Sequence, residues 1–164
     1  MLNFKAKMFY SSTVSRNDYT FTSIAEDVLR YGFNKVSRIP LLDSHDYDSV
    51  TYALGYVDDF QIETDDRYEE PYVVGKVHIN PDNISEDYKA SVENMTLKCM
   101  GLSVGIRDIQ LDKARLKDGY RQIVSFLPYE LSLTYLPADT RCVASPYEAV
   151  DNNKEIGIDN LELN

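Results

Sequence analysis

Side chains suited to metal or redox chemistry are scarce in this chain of 164 residues. It has two histidines, two cysteines (Cys99 and Cys142) and no tryptophan. Two cysteines cannot build a disulfide framework, so we expect a reducing compartment with both thiols as small core residues. The sequence contains no HExxH, paired CxxC or close histidine pair, and its seven glycines are scattered singly. Neither a metal site, a phosphate-binding loop nor a cofactor is therefore predicted.

Long apolar runs and an excess of positive charge are also lacking. No apolar run approaches the roughly 20 residues of a membrane span, and the opening MLNFKAKMFYSS lacks the apolar core of a secretory signal. Seventeen basic against 27 acidic residues give a net charge of −10. Such a chain repels phosphate backbones. We therefore expect neither a membrane nor a nucleic acid as partner.

The composition is that of one globular domain, with 43% hydrophobic residues. We place this domain at residues 1–150 and treat 151–164 as an acidic C-terminal tail, because that stretch has no convincing periodicity. Two helices are predicted. The first begins at a capping box of Ser23 and Glu26 and stops at Gly32, and the second runs from Ser85 to about Leu97.

Most of the remaining chain has the patterns of extended strands, at 3–10, on both sides of His45, at 72–79, and through the last third. There, the charged stretch LDKARLKDG (111–119) is predicted to be a turn that ends in the hairpin signal Asp118-Gly119. Strands 120–127 and 129–136 are predicted to follow it and to join at Pro128. The acid-rich stretch 58–70 is predicted to be a solvated loop between strands. Together these patterns predict a mainly β (α+β) fold, an antiparallel β-barrel, closed or nearly so, with flanking helices.

His45 is the first candidate for chemistry. It lies in RIPLLDSHDYDSVTYALGYV, between two strand-like segments, with Asp43, Asp46 and Asp48 close by. Histidine has the side-chain pKa nearest neutrality, so it is the usual proton carrier. The alternative is an ordinary loop histidine. As a metal-ligand cluster, DSHDYD alone is weak.

Ser103 is the candidate nucleophile. In LSVGIR its side chain shares a strand face with Gly105 and Arg107, while Leu102, Val104 and Ile106 are predicted to face the core. The glycine would leave room for a backbone to approach the serine. The alternatives are a solvent-facing serine in an ordinary amphipathic strand, and Cys99 as the nucleophile.

Glu130 is the third candidate, in YELSLTYLP. It alternates with the apolar Leu131 and Leu133, and by itself such a carboxylate is usually only solvated. Candidate donors for an oxyanion are the backbone N–H groups near Gly105 and the side chains of Arg107 and Arg141.

In their order along the chain, IPLLDSHD with a downstream GYV, then LSVGI, then ELSLTYLPAD, these segments resemble the tailed-phage prohead (capsid maturation) protease family. The resemblance covers roughly residues 36–144. It implies a fold related to the herpesvirus assembly proteases, a β-barrel surrounded by helices. Two positions depart from the pattern, with Asp139 where Asn is common and Ser44 where a larger polar residue often precedes the histidine.

The resemblance implies a serine endopeptidase with Ser103 as nucleophile, His45 as general base and Glu130 orienting His45. Its substrates would be the scaffold protein, the capsid protein and the protease itself, inside the assembling procapsid in the host cytoplasm. The resemblance is also compatible with a homodimer. The alternative is a protease-fold component of the capsid, structural or scaffold-binding, whose triad is idle. His78 competes with Glu130 for the third position, but it shares a strand face with Lys76 that we expect to be solvated.

Overall fold

The computed structural model describes residues 2–12, 24–45, 53–86, 89, 101–117 and 120–146. These residues form seven strands, one α-helix and a short 3-10 helix at Pro81–Asn83. In chain order the main elements are β1 (Leu2–Tyr10), α1 (Glu26–Asn34), β2 (Arg38–Asp43), β3 (Ala53–Asp65), β4 (Glu70–Ile79), β5 (Gly101–Lys117), β6 (Tyr120–Thr134) and β7 (Ala144–Pro146). Most of the predicted second helix, Cys99 and the acidic tail lie outside the described residues.

The strands form one sheet in the order β5-β6-β2-β3-β4-β1-β7, which curls into a half-barrel. The prediction of a mainly β fold is confirmed. One correction concerns direction, because β2 and β6 run parallel while the other neighbours are antiparallel. The segment before β7 connects distant parts of the sheet, since Val143 O accepts from Lys7 N and Cys142 O accepts from Leu102 N, each at 2.9 Å.

The predicted first strand is present as β1. Phe4, Ala6, Met8 and Tyr10 alternate along it, and all four are buried. A register shift between Lys7 and Phe9 also brings Phe9 into the core. Burial of these alternating side chains supplies the main driving force for the strand.

The predicted end of the first helix was wrong. Helix α1 continues past Gly32 to Asn34. A Cβ atom at Gly32 would lie only 2.5 Å from Cζ of Phe126 on β6. This glycine therefore makes room for an aromatic ring and does not end the helix. The proposed capping residue Ser23 lies outside the described residues.

The acid-rich stretch was wrongly predicted to be a loop, because residues up to Asp65 belong to β3. Two of its carboxylates accept hydrogen bonds from side chains of β1 and β4. Glu63 accepts from Lys5 Nζ at 2.7 Å and from the Tyr72 hydroxyl at 2.6 Å, and Asp65 accepts from the Tyr10 hydroxyl at 2.7 Å. Burial opposes ionisation of Glu63, but the hydrogen bonds from Lys5 and Tyr72 outweigh it and lower its pKa.

Strand β6 is continuous through Pro128, where two separate strands were expected. The register of β5 and β6 shifts between Gly105 and Ile106, next to the pair Ile106–Pro128. Such an irregularity accommodates a residue that cannot donate a ladder hydrogen bond. The predicted hairpin is confirmed, because the pairing of Lys117 with Tyr120 leaves a two-residue connection. The prediction of a turn over 111–119 was wrong, because β5 continues to Lys117.

Candidate active site

The candidate site lies where the end of β2 meets β6. The two strands run parallel, with Leu42 beside Ser132 and Asp43 beside Leu133. Immediately after β2, Ser44 and His45 adopt φ angles of 51° and 61°. These left-handed conformations are uncommon for residues other than glycine. They form a turn at the end of β2, and the ring of His45 lies beside Glu130 on β6.

His45 contacts Glu130. Its Nδ1 lies 2.9 Å from Oε1 of Glu130. The Glu130 side chain is 1% exposed and that of His45 is 38% exposed. An ionised carboxylate only accepts hydrogen bonds, so Nδ1–H donates and Nε2 is left as the acceptor in the neutral ring. The hydrogen bond to Glu130 outweighs the opposing effect of burial and raises the pKa of His45 above its ordinary value.

Ser132 joins both members of this pair, a role that the sequence interpretation missed. Its hydroxyl donates to Oε2 of Glu130 at 2.6 Å and accepts from the backbone N–H of His45 at 3.0 Å. The signal was present in the sequence, because residues 130 and 132 of a strand point to the same face. Ser132 is completely buried.

Ser103 lies on β5 directly opposite Ser132, and Gly105 lies opposite Glu130. Side chains of directly opposed residues in antiparallel strands are close neighbours on one face. Ser103 is buried at 9% exposure and not solvent-facing. Leu102 is in the core, while Val104 and Ile106 are partly buried against it. Within the described residues, no hydrogen bond joins the Ser103 hydroxyl to His45.

Gly105 does make room, but not for the group that the sequence suggested. A Cβ atom at this position would lie 2.2 Å from Oε1 of Glu130. The missing side chain therefore creates space for the carboxylate that binds His45, and a substrate backbone is not needed to explain the glycine.

The two candidate arginines behave differently. The Arg107 side chain is 62% exposed, with its guanidinium 5.8 Å from the centre of the Tyr129 ring. Arg141 forms ion pairs with Glu70 and Asp139 and stacks on Tyr10, with 4.1 Å between guanidinium carbon and ring centre. None of these contacts brings Arg141 to His45.

The competing histidine, His78, contacts a different carboxylate. Its Nε2 lies 2.7 Å from Oδ1 of Asp58, and its ring stacks on Tyr56 with 4.6 Å between ring centres. The His78 side chain is 13% exposed. The expectation that this strand face is solvated was therefore wrong, but His78 is engaged away from Glu130.

No protein-family model and no curated protein matches this chain.

Other chemistry has little support in the part of the chain that the structure describes. That part contains no group of three or more His, Cys, Asp or Glu side chains that could hold a metal ion. Cys142 is buried, and burial raises the pKa of its thiol, so it is a poor nucleophile. Among the described residues, no helix is long and apolar enough to cross a membrane.

Proposed function

We propose that this protein is a serine endopeptidase in which Ser103, His45 and Glu130 form the catalytic triad. One observation carries the proposal, namely that the Nδ1 of a partly exposed histidine contacts a buried carboxylate at 2.9 Å. This is the arrangement in which a carboxylate orients a general base and stabilises its protonated form. The pairing of β5 with β6 supplies a serine on the same face.

The proposed chemistry is acyl transfer. The Ser103 hydroxyl attacks the scissile carbonyl, and Nε2 of His45 takes its proton, while Glu130 stabilises the resulting imidazolium. Collapse of the tetrahedral intermediate breaks the C–N bond, and His45 returns the proton to the leaving amine. Water then attacks the acyl-enzyme by the same proton transfers, which releases the acid and restores Ser103.

Ser103 is a better nucleophile candidate than its cross-strand partner Ser132. Ser132 is completely buried, and its hydroxyl already bonds to Glu130 and to the His45 amide. Ser103 keeps 9% exposure. In this proposal the hydrogen bond between Ser103 and Nε2 of His45 forms in the substrate complex, because catalytic hydrogen bonds often form only when substrate is bound.

The biological setting is proposed from the sequence resemblance to prohead proteases and the β-rich half-barrel that accompanies it. In this proposal the fold is a herpesvirus-protease-like barrel. The enzyme cleaves the scaffold and major capsid proteins, and itself, inside the assembling procapsid in the host cytoplasm.

The experiment pairs Ser103→Ala with Ser125→Ala, a matched control on β6 whose hydroxyl bonds to Lys35. Each protein is incubated with the scaffold and capsid proteins of the same virus, and new termini are identified by mass spectrometry. A fluorophosphonate reagent, which phosphonylates activated serines, is applied in parallel.

We expect cleavage and labelling at Ser103 in the wild type and in Ser125→Ala, and neither in Ser103→Ala. Full activity of Ser103→Ala would refute the assignment. A wild-type protein that neither cleaves nor labels, yet binds the scaffold protein, would favour the idle protease-fold component of the capsid.

A further inference from the structure

We infer that Ser132 is a positioning residue of this site, whose single hydroxyl fixes both the Glu130 carboxylate and the backbone of His45. The inference rests on the proposed function for its catalytic consequence. Its structural part is independent, because it concerns two hydrogen bonds that can be observed without a substrate.

The geometry makes Ser132 the connection between the two residues. The hydroxyl donates to Oε2 of Glu130 at 2.6 Å, while Oε1 of the same carboxylate contacts His45 Nδ1 at 2.9 Å. Both carboxylate oxygens are thus engaged, and the carboxyl plane is fixed. A serine hydroxyl can donate one hydrogen bond and accept others at the same time, so one atom suffices for both tasks.

The second hydrogen bond acts on an unfavourable backbone conformation. His45 has a φ of 61° and its neighbour Ser44 a φ of 51°. Residues with side chains keep such conformations only when surrounding contacts hold them. Here β6 provides those contacts, because Leu133 O accepts from Ser44 N at 2.9 Å and Ser132 Oγ accepts from His45 N at 3.0 Å. The imidazole is therefore oriented from the backbone side by Ser132 and from the ring side by Glu130.

Because they are buried, the two hydrogen bonds of Ser132 should be costly to remove. Ser132 and Glu130, both on β6, are completely buried. Replacing Ser132 with alanine would remove the donor to a buried carboxylate oxygen and the acceptor for the His45 amide. Groups left without partners in such a place relax toward other geometries or recruit water. We therefore expect the carboxylate and the imidazole to lose their alignment while the strand itself persists.

The test compares Ser132→Ala with Ser11→Ala. Ser11 is also a buried serine that donates to a glutamate, Glu70, at 3.3 Å. It directly follows β1, which is separated from β6 by β2, β3 and β4 in the strand order. Thermal unfolding establishes that each variant is folded. Ser132→Cys serves as a second variant, because it has nearly the same size with a much weaker donor and acceptor.

Three readouts are measured on each full-length variant. The first is kcat and KM against a cleaved scaffold peptide across neutral pH. The second is the chemical shift and hydrogen exchange of the His45 backbone amide by NMR. The third is the NMR titration of the His45 ring.

For Ser132→Ala and Ser132→Cys we expect kcat to fall about 10- to 100-fold with little change in KM, the effect of one charge-assisted hydrogen bond. The His45 amide should shift and exchange faster, and the midpoint of the ring titration should move toward that of an ordinary histidine. Ser11→Ala should change none of these.

The outcomes separate this inference from the proposed function. An active wild type with unchanged kcat and an unchanged His45 amide in both Ser132 variants would overturn the inference alone. An inactive wild type whose His45 signals still respond to Ser132→Ala would remove the peptidase proposal and retain the positioning role.

Discussion

The molecule contains two histidine–carboxylate pairs that differ in which partner is buried. In the pair of His45 with Glu130, the carboxylate side chain is 1% exposed and the histidine 38% exposed. In the pair of His78 with Asp58, the histidine is 13% exposed and the carboxylate 34% exposed. The contact distances are similar, at 2.9 Å and 2.7 Å. Distance alone would therefore not distinguish them.

The difference in burial decides what each pair can do. A buried carboxylate acts on its histidine through a medium of low polarity, so its charge is felt strongly, while water screens an exposed one. A proton carrier must also reach its substrate. His45 is partly exposed and has its Nε2 free of any hydrogen bond within the described residues, whereas His78 uses Nε2 for Asp58 and lies against Tyr56. Only the first pair combines a buried charge with an accessible base.

The largest expected difference follows from removing each imidazole. His45→Gln should lower kcat/KM by about six orders of magnitude, because an amide cannot accept the proton from Ser103. His78→Gln should leave kcat/KM close to the wild-type value. Peptide cleavage rates on both purified variants make the measurement. Comparable losses in both variants would show that the difference in burial does not determine which histidine is required for cleavage.

Removing each carboxylate charge is the second comparison. Glu130→Gln should lower kcat by about 10⁴-fold, the effect of an amide in place of the orienting carboxylate of a serine protease triad. The matched change is Asp58→Asn, which keeps the size of a partly exposed side chain and should leave kcat near the wild-type value. Near-normal rates for Glu130→Gln would remove Glu130 from the triad, whichever result Asp58→Asn gives.

Much of this arrangement could be predicted from the sequence, because strand periodicity locates residues on faces. The alternation around Ser103 and Glu130, and the Asp118-Gly119 signal, predicted extended chain and a hairpin here, but not that β5 runs on to Lys117 or that β6 continues through Pro128. The pairing of β2 with β6 was not predictable, since it joins residues about 90 positions apart through a parallel contact. That pairing brings Ser132 to the backbone of His45. Strand periodicity could therefore place Ser132 beside Glu130, but it could not place it at the His45 amide.

The acid-rich stretch 58–70 shows a second limit of prediction from local sequence. Its charges suggested solvent, but on β3 they alternate with residues that pack on the sheet, and their partners come from β1 and β4. Lys5 is 58 residues away from Glu63. Local composition cannot indicate a partner at that separation, so the carboxylates were interpreted as solvated. Similarly, Gly32 was interpreted as a helix end because glycine often follows the last helical residue. Its contact with Phe126, on a distant strand, is not visible in the local sequence.

Each histidine pair also has a glycine packed against it, which allows a third comparison. A Cβ at Gly105 would lie 2.2 Å from Oε1 of Glu130, and one at Gly55 would lie 2.0 Å from the carbonyl oxygen of His78. Both alanine variants should lose stability by about 1–3 kcal/mol in urea unfolding, the usual cost of forcing an atom into a packed site. Only Gly105→Ala should also lower kcat in the folded protein, because it displaces the carboxylate from His45. An equal loss of kcat in folded Gly55→Ala would contradict this.

The smallest expected effect is the dependence of stability on pH. The hydrogen bond to Glu130 raises the pKa of His45 above its ordinary value of 6.5. Because the folded-state value is the higher one, protonated His45 stabilises the fold fully below the unfolded-state pKa, and this contribution is lost as pH rises through the folded-state pKa. Partial exposure of the ring keeps the contribution modest. The free energy of unfolding of Glu130→Gln should therefore fall below that of the wild type by more at pH 5.5 than at pH 8.5.

NMR gives the direct measurement, because the chain has only two histidines and His78→Gln assigns their ring signals. The titration midpoint of His45 should lie above 6.5 in the wild type and should decrease in Glu130→Gln. In Asp58→Asn it should stay at the wild-type value, since Asp58 contacts His78 instead. A His45 midpoint that Glu130→Gln leaves unchanged would mean that the buried carboxylate does not control this imidazole. The contrast in burial between the two pairs would then have no functional meaning.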